Sequence, residues 1–226
     1  MKKYFGVLNR FELCLWLFSE LLIVVSYLMS PDGDTLTLVA SAIGAASLIF
    51  TAKGHVLGQV LGVVFSVFYG IVSYFFRYYG EMITYLGMTA PIAVVSIVSW
   101  LRNPYKETNE VAVRIMKPRD VFVMSVLAAL VTSVFYFILR ALGNANLIVS
   151  TISVTTSFLA SYMMFLRCPY YAIAYAANDV VLIILWVLAS VINPSYIPMI
   201  MCFVVFFIND IYGFISWIKM KNRQIQ

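Results

Sequence analysis

Along most of the chain, apolar runs of about twenty residues alternate with short polar breaks. That length is what an α-helix needs to cross the hydrocarbon core of a bilayer. Eight such runs predict helices over about 11–30, 35–52, 56–76, 81–101, 120–141, 147–166, 170–190 and 197–218. The short alternating segments of a membrane β-barrel are absent. "SPDGD" (Ser30 to Asp34) and "VINPS" (Val191 to Ser195) are turn-forming breaks. Short links make consecutive helices antiparallel neighbours. Gly87 and Pro91 predict a kink in the fourth helix.

The polar breaks carry a second signal. With eight spans, 13 of the 15 Lys and Arg residues fall on the side of the termini. Arg77 and Arg140 fall on the other. The positive-inside rule then predicts a multi-pass protein of the cell membrane with both termini cytoplasmic. The longest break, 103–119, is basic and cytoplasmic on this reading, a linker and topology signal that can also touch lipid headgroups.

Composition agrees with the pattern. Of 226 residues, 63% are hydrophobic and 11% charged, against about 25% charged in a soluble domain. The net charge of +5 is accounted for by topology and gives no reason to expect nucleic acid. The N-terminal run resembles a signal peptide, but Glu12 and Glu20 interrupt it and no small-residue cleavage site follows, so a retained first helix is expected. Cys14, Cys168 and Cys202 follow no metal or redox spacing.

An internal repeat divides the chain. "SIVSWLRN" closes the fourth helix and "GFISWIKM" the eighth, with Trp100 and Trp217 lying 117 residues apart. Either Trp alone reads as an interface anchor; the matched context reads as a repeat. The expected fold is an all-α polytopic membrane protein, one domain over 1–226. It has a leading helix (11–30), a triple-helix unit (35–101), a loop (103–119), a linking helix (120–141) and a second triple-helix unit (147–218). One helix separates the triplets, so they run parallel across the membrane. Such repeats occur in transporters, with the substrate near the midplane where they meet.

The polar residues inside the apolar runs are the functional candidates. Asn178-Asp179 and Asn209-Asp210 lie at matched depth on neighbouring helices, with Glu20 in the same layer and no Lys or Arg beside them. A buried carboxylate is costly, and in a membrane it normally faces a cavity or the bundle interior. Protonation, helix-to-helix hydrogen bonds or a cationic substrate would each resolve the cost. Tyr171, Tyr175 and Tyr212 lie close in sequence to the pairs, and acids with aromatic faces suit a flat cationic ring. Gln59 on the third helix and Thr155 on the sixth, among several hydroxyls there, complete the candidate set. The first repeat has Ile92 and Ala93 where the second has Asn209 and Asp210, so the acids are not repeat scaffolding.

Nothing points to catalysis. There is no phosphate-binding loop, no cofactor motif, and one histidine, His55, in a short turn. A proton-conducting protein is the main rival class, and a structural or receptor role the third.

"FELCLWLFSELL", "YYGEMITYLGMTAPIAVVSIVSW", "FLASYMMFLRCPYYAIAYAANDVVLIILW" and "FFINDIYGFISW" together resemble the PnuC family of vitamin transporters over nearly the full length. The resemblance implies a fold like that of the SWEET sugar transporters. It also implies facilitated diffusion of a vitamin precursor, usually nicotinamide riboside, trapped by phosphorylation and so linked functionally to a cytoplasmic kinase. Thiamine, riboflavin and deoxynucleosides are the alternative cargoes, and a homo-oligomer stays open. In one respect the chain departs from the family: where nicotinamide riboside carriers often show Trp-x-x-Trp, it has Tyr171 and Ala174. Nicotinamide riboside and thiamine are cations, which the unpaired acids favour over the neutral cargoes.

Overall fold

The computed structural model describes residues 8–30, 35–75, 78–144 and 146–225. Most of the Ser30 to Asp34 break lies outside them, as do Lys2, Lys3 and Arg77 of the charge count. Among the described residues, eight helices are long and apolar enough to cross a membrane. They are α1 (Arg10–Leu28), α2 (Thr35–Ala52), α3 (Val56–Phe75), α4 (Tyr79–Leu101), α5 (Pro118–Ala141), α6 (Leu147–Phe165), α7 (Tyr171–Ile192) and α8 (Ile197–Ile225). Among the described residues there is no strand, only two isolated bridges in the turns, His55 with Glu110 and Pro104 with Val111.

Six helices close a ring. α2 packs on α3, α3 on α4, α4 on α6, α6 on α7, α7 on α8, and α8 back on α2. α1 lies outside against α2 and α8, and α5 lies outside against α6. Only 6% of the residues in the apolar stretch of α5 are buried, against 56% for α2, so α5 is the most peripheral of the eight helices. Close crossing of α2 and α3 requires glycine at Gly58. A Cβ there would stand 2.4 Å from the backbone nitrogen of Thr51, and Ser47 Oγ donates to the Gly58 carbonyl at 2.8 Å.

Two helices depart from regular geometry or expected length. The disturbance expected around Gly87 and Pro91 takes the form of a π-turn, Tyr85–Thr89, closed by a bond from Ala90 N to Tyr85 O. Pro91 has no N–H, and its ring would collide with the Gly87 carbonyl in a regular helix. The wider turn absorbs that collision, and such turns recur at functional sites. α8 runs seven residues past the apolar run because its polar end has its own partner. Gln224 accepts from Val113 N at 2.7 Å and donates to Val111 O at 3.1 Å, and Arg223 pairs with Glu110. These contacts hold the 103–117 segment under the ring, with Val111 buried against Trp100 and Trp217.

Local chemistry settles several polar residues. Glu12 caps α1 in a capping box with Asn9, pairs with Lys53 at 3.1 Å and accepts from Tyr212 at 2.7 Å. His55 Nδ1 accepts from Leu57 N at 3.1 Å. Burial pushes its pKa below the ordinary histidine value.

Candidate functional site

The ring encloses a polar layer between two apolar clusters. On the terminus side, Trp100, Trp217, Tyr171 and Val111 form one cluster. On the far side, Tyr69, Tyr85, Trp186, Phe203 and Phe206 form the centre of the other. Between them lies a cavity of about 80 Å³, lined among others by Gln59, Tyr85, Tyr175, Asn178, Asp179 and Asp210. No Lys or Arg is among its lining residues.

α7 delivers three of these groups. Tyr175, Asn178 and Asp179 follow the three- and four-residue spacing of one helix face, and Asn178 and Asp179 are both nearly inaccessible to solvent. Asn178 Oδ1 accepts from Thr156 Oγ1 at 2.7 Å and Ser157 Oγ at 3.0 Å on α6. That fixes the amide with its nitrogen unengaged by any described residue. Tyr175 OH is bonded to Ser161 Oγ at 2.8 Å. From α8 comes Asp210, whose carboxyl interacts directly with that of Asp179. From α3 comes Gln59, whose Nε2 faces Met164 Sδ at 2.7 Å. A thioether is a weak acceptor, so this donor is held in place without being well satisfied.

Four expected site residues lie outside the cavity lining. Asn209 turns to α1, donating to Ser19 Oγ and to Val205 O, both at 2.9 Å. Tyr212 turns to Glu12 at the α1 terminus. Thr155 donates back to Thr151 O and bonds Thr132 Oγ1 of α5 at 2.7 Å. Thr156, the next residue, makes the contact with Asn178 instead. Tyr171 is buried in the floor, its ring 4.8 Å from that of Trp217, outside the cavity lining. Glu20 accepts from Trp16 of its own helix at 2.7 Å and does not line the cavity. Thr89, one of the fourth-helix hydroxyls that the sequence offered for the cavity, does line it, and so do Tyr85 and Met164, which were not singled out by sequence; Tyr85 and Thr89 both lie in the π-turn, and only the Gly87–Pro91 spacing hinted at it.

The two Ser-Trp sequences are buried joints rather than interface anchors. Ser99 donates to Phe165 O and Trp100 to Met164 O, at the end of α6. Ser216 donates to Ala52 O and Trp217 to Thr51 O, at the end of α2. The two Trp rings meet at 5.5 Å. The end of α4 thus fastens the end of α6, and the end of α8 fastens the end of α2, through the same pair of residue types.

This architecture has counterparts among known proteins. A family model described as nicotinamide mononucleotide transporter matches residues 34–219. The chain is 28% identical over 228 residues to the nicotinamide riboside transporter PnuC of Neisseria mucosa, spanning 98% of this chain and 86% of that one. It is 20% identical over 200 residues to the nicotinamide riboside transporter PnuC of Haemophilus influenzae, spanning 88% and 85%. A crystal structure of the vitamin B3 transporter PnuC matches with a TM-score of 0.83 at 26% identity, over 96% of this chain and 94% of that one. Eight membrane helices, a polar cavity inside their ring and a family match across most of the length lead to one conclusion: this chain belongs to the nicotinamide mononucleotide transporter family.

Proposed function

We propose that the protein carries nicotinamide riboside across the cell membrane by facilitated diffusion, with both termini cytoplasmic and the cargo trapped afterwards by phosphorylation. The observation that carries this reading is the contact of Asp179 with Asp210 in a cavity lined by no Lys or Arg. Two neighbouring carboxyls cannot both keep their charge cheaply; a shared proton relieves the empty site, and the pyridinium ring of the riboside supplies a cation when the site is loaded. A mononucleotide would bring a phosphate into the same acidic space, which disfavours it despite the family's description. Tyr85 and Tyr175 offer aromatic faces to the ring. The free nitrogen of Asn178 and the weakly held amide of Gln59 are donors for its carboxamide or ribose oxygens. The names of the relatives from Neisseria mucosa and Haemophilus influenzae support the same cargo.

In this reading α2–α4 and α6–α8 are the two parallel units of a SWEET-like arrangement, α5 links them and α1 leads. The exchanged Ser-Trp bonds support that division. The cavity, at about 80 Å³, is far below the roughly 300 Å³ of sites that enclose drug-sized ligands. The described conformation is therefore too tight to hold the cargo, and loading requires the units to move apart. The Ser-Trp joints lie on the path to the cytoplasm and are the place where such movement opens the inner side.

Thiamine is the second reading. Tyr171 and Ala174 stand where nicotinamide riboside carriers often have Trp, and thiamine also presents a cationic ring. Uptake of labelled nicotinamide riboside by a strain that neither makes NAD nor has its own carrier is the direct test. No uptake above empty membranes contradicts the first reading, and a competition panel of thiamine, riboflavin and deoxynucleosides ranks the others. Uptake that follows an imposed pH gradient would favour proton coupling over facilitated diffusion.

A further inference from the structure

A third buried acid lies outside the central cavity. Glu81 is in the first turn of α4 and 1% exposed. Neither of its carboxyl oxygens has a hydrogen-bond partner among the described residues. Ser153 of α6 is a polar neighbour, but its hydroxyl stops short of hydrogen-bonding geometry and is itself buried and unpartnered. Ser73 Oγ is also buried and unpartnered, one turn beyond Tyr69 on the same face of α3. Structural acids in this protein look different. Glu12 has Asn9, Lys53 and Tyr212, Glu20 has Trp16, and Asp120 has Arg114.

Glu81 is also connected to the central cavity. Tyr85 follows it by one turn of α4 and interacts electrostatically with both Glu81 and Asp179. Tyr69 interacts with Glu81 as well, and its ring lies 4.3 Å from that of Tyr85. Tyr85, one turn on from Glu81, against Tyr69 and in the lining of the cavity, therefore stands between the carboxyl and the cavity. Thr89, at the cavity, is eight residues further along α4, or about 12 Å at 1.5 Å per residue. A carboxyl with no hydrogen-bond partner among the described residues at such a position is a cost that function, rather than packing, retains.

We infer that Glu81 is the anionic centre of a second binding station for the organic cation, on the side of the membrane away from the termini, and that Tyr85 divides this station from the central cavity. The inference rests on the cationic substrate proposed above. The carboxyl attracts the charged ring, the faces of Tyr69 and Tyr85 stack against it, and the hydroxyls of Ser73 and Ser153 are hydrogen-bonding groups for its sugar. Rotation of Tyr85 then passes the cation from one acid to the next.

The test compares wild type, Glu81→Gln and Glu81→Asp in purified form and in proteoliposomes. Nicotinamide riboside and its reduced, uncharged form are the probes. In Glu81→Gln, initial uptake of the cation at low concentration falls about tenfold, a loss of about 1.4 kcal/mol. Its equilibrium affinity at the central cavity is unchanged, uptake of the uncharged form is unchanged, and the melting temperature holds or rises. Glu81→Asp recovers most of the uptake. Undiminished cation uptake in Glu81→Gln overturns the inference. Equal loss for the charged and uncharged forms, or a lowered melting temperature without rescue by aspartate, also overturns it by marking Glu81 as structural. A wild-type protein that binds no nicotinamide riboside defeats the cargo reading instead, and thiamine then serves as the probe in the same comparison. Binding of neither cation overturns both.

Discussion

On α7, Asn178 and Asp179 both line the cavity; on α8 the same dipeptide is divided, with Asp210 facing the cavity and Asn209 facing α1. The difference follows from what surrounds each helix. α7 has ring helices on either side, α6 and α8, and the polar partners of Asn178 come from α6. α8 packs on α7 and α2 and also carries α1 on its outer face. Consecutive residues on a helix point about 100° apart, so one member of a polar dipeptide easily belongs to a different neighbour. The α7 pair is committed to the cavity. The α8 pair does two jobs, lining the cavity with its acid and fastening α1 with its amide.

The largest effect that can break this comparison is removal of both cavity charges. A monovalent cation needs one negative partner, and either Asp179 or Asp210 supplies it. Asp179→Asn with Asp210→Asn should therefore weaken nicotinamide riboside binding by about a hundredfold or more, while each single change costs about tenfold or less. Titration calorimetry on the purified variants reads this non-additivity, and additive losses would show that each acid makes its own separate contact. Asn178→Ala comes next. It removes the proposed donor and strands the hydroxyl of Ser157, for a loss of about tenfold in affinity.

Smaller effects sharpen the contrast. Thr156→Val should lower affinity about threefold through the loosened Asn178, whereas Thr155→Val, one residue away, should leave binding unaltered. Asn209→Ala should also leave affinity unaltered. Its cost is to the seat of α1, about 0.6 kcal/mol for an average hydrogen bond between membrane helices, seen as a drop of about 1–2 °C in Tm. A clear loss of substrate affinity in Asn209→Ala would erase the distinction between the two pairs.

Much of the architecture was legible because a bilayer imposes it. Hydropathy placed eight helices, since each must bury a complete set of backbone hydrogen bonds in lipid. It ended the last one at about 218, however, because the continuation to Ile225 is polar and held by Val111, Val113 and Glu110 rather than by lipid. Depth along a helix was equally legible, and it brought Asp179 and Asp210 to one layer. Rotation about the helix axis was not. Asn209, Tyr212 and Thr155 share depth or neighbourhood with cavity residues, yet each faces a helix outside the ring or its end. Glu81 escaped notice because "YYGEMITY" places it at the edge of a span, where a charge ordinarily reaches water; only the packing of α3 and α6 around it takes that water away. The Ser-Trp repeat was visible as a pattern, but its use required knowing that α4 meets α6 and α8 meets α2.

The central claim is that the cavity selects its cargo by positive charge. Calorimetric titration of the purified wild-type protein with nicotinamide riboside and with its reduced, uncharged form tests this most directly, because the two share the ribose and the carboxamide. Binding of the cation at least about tenfold tighter, with the preference lost when Asp179 and Asp210 are both asparagine, is the expected result. Equal affinity for the two forms would contradict it.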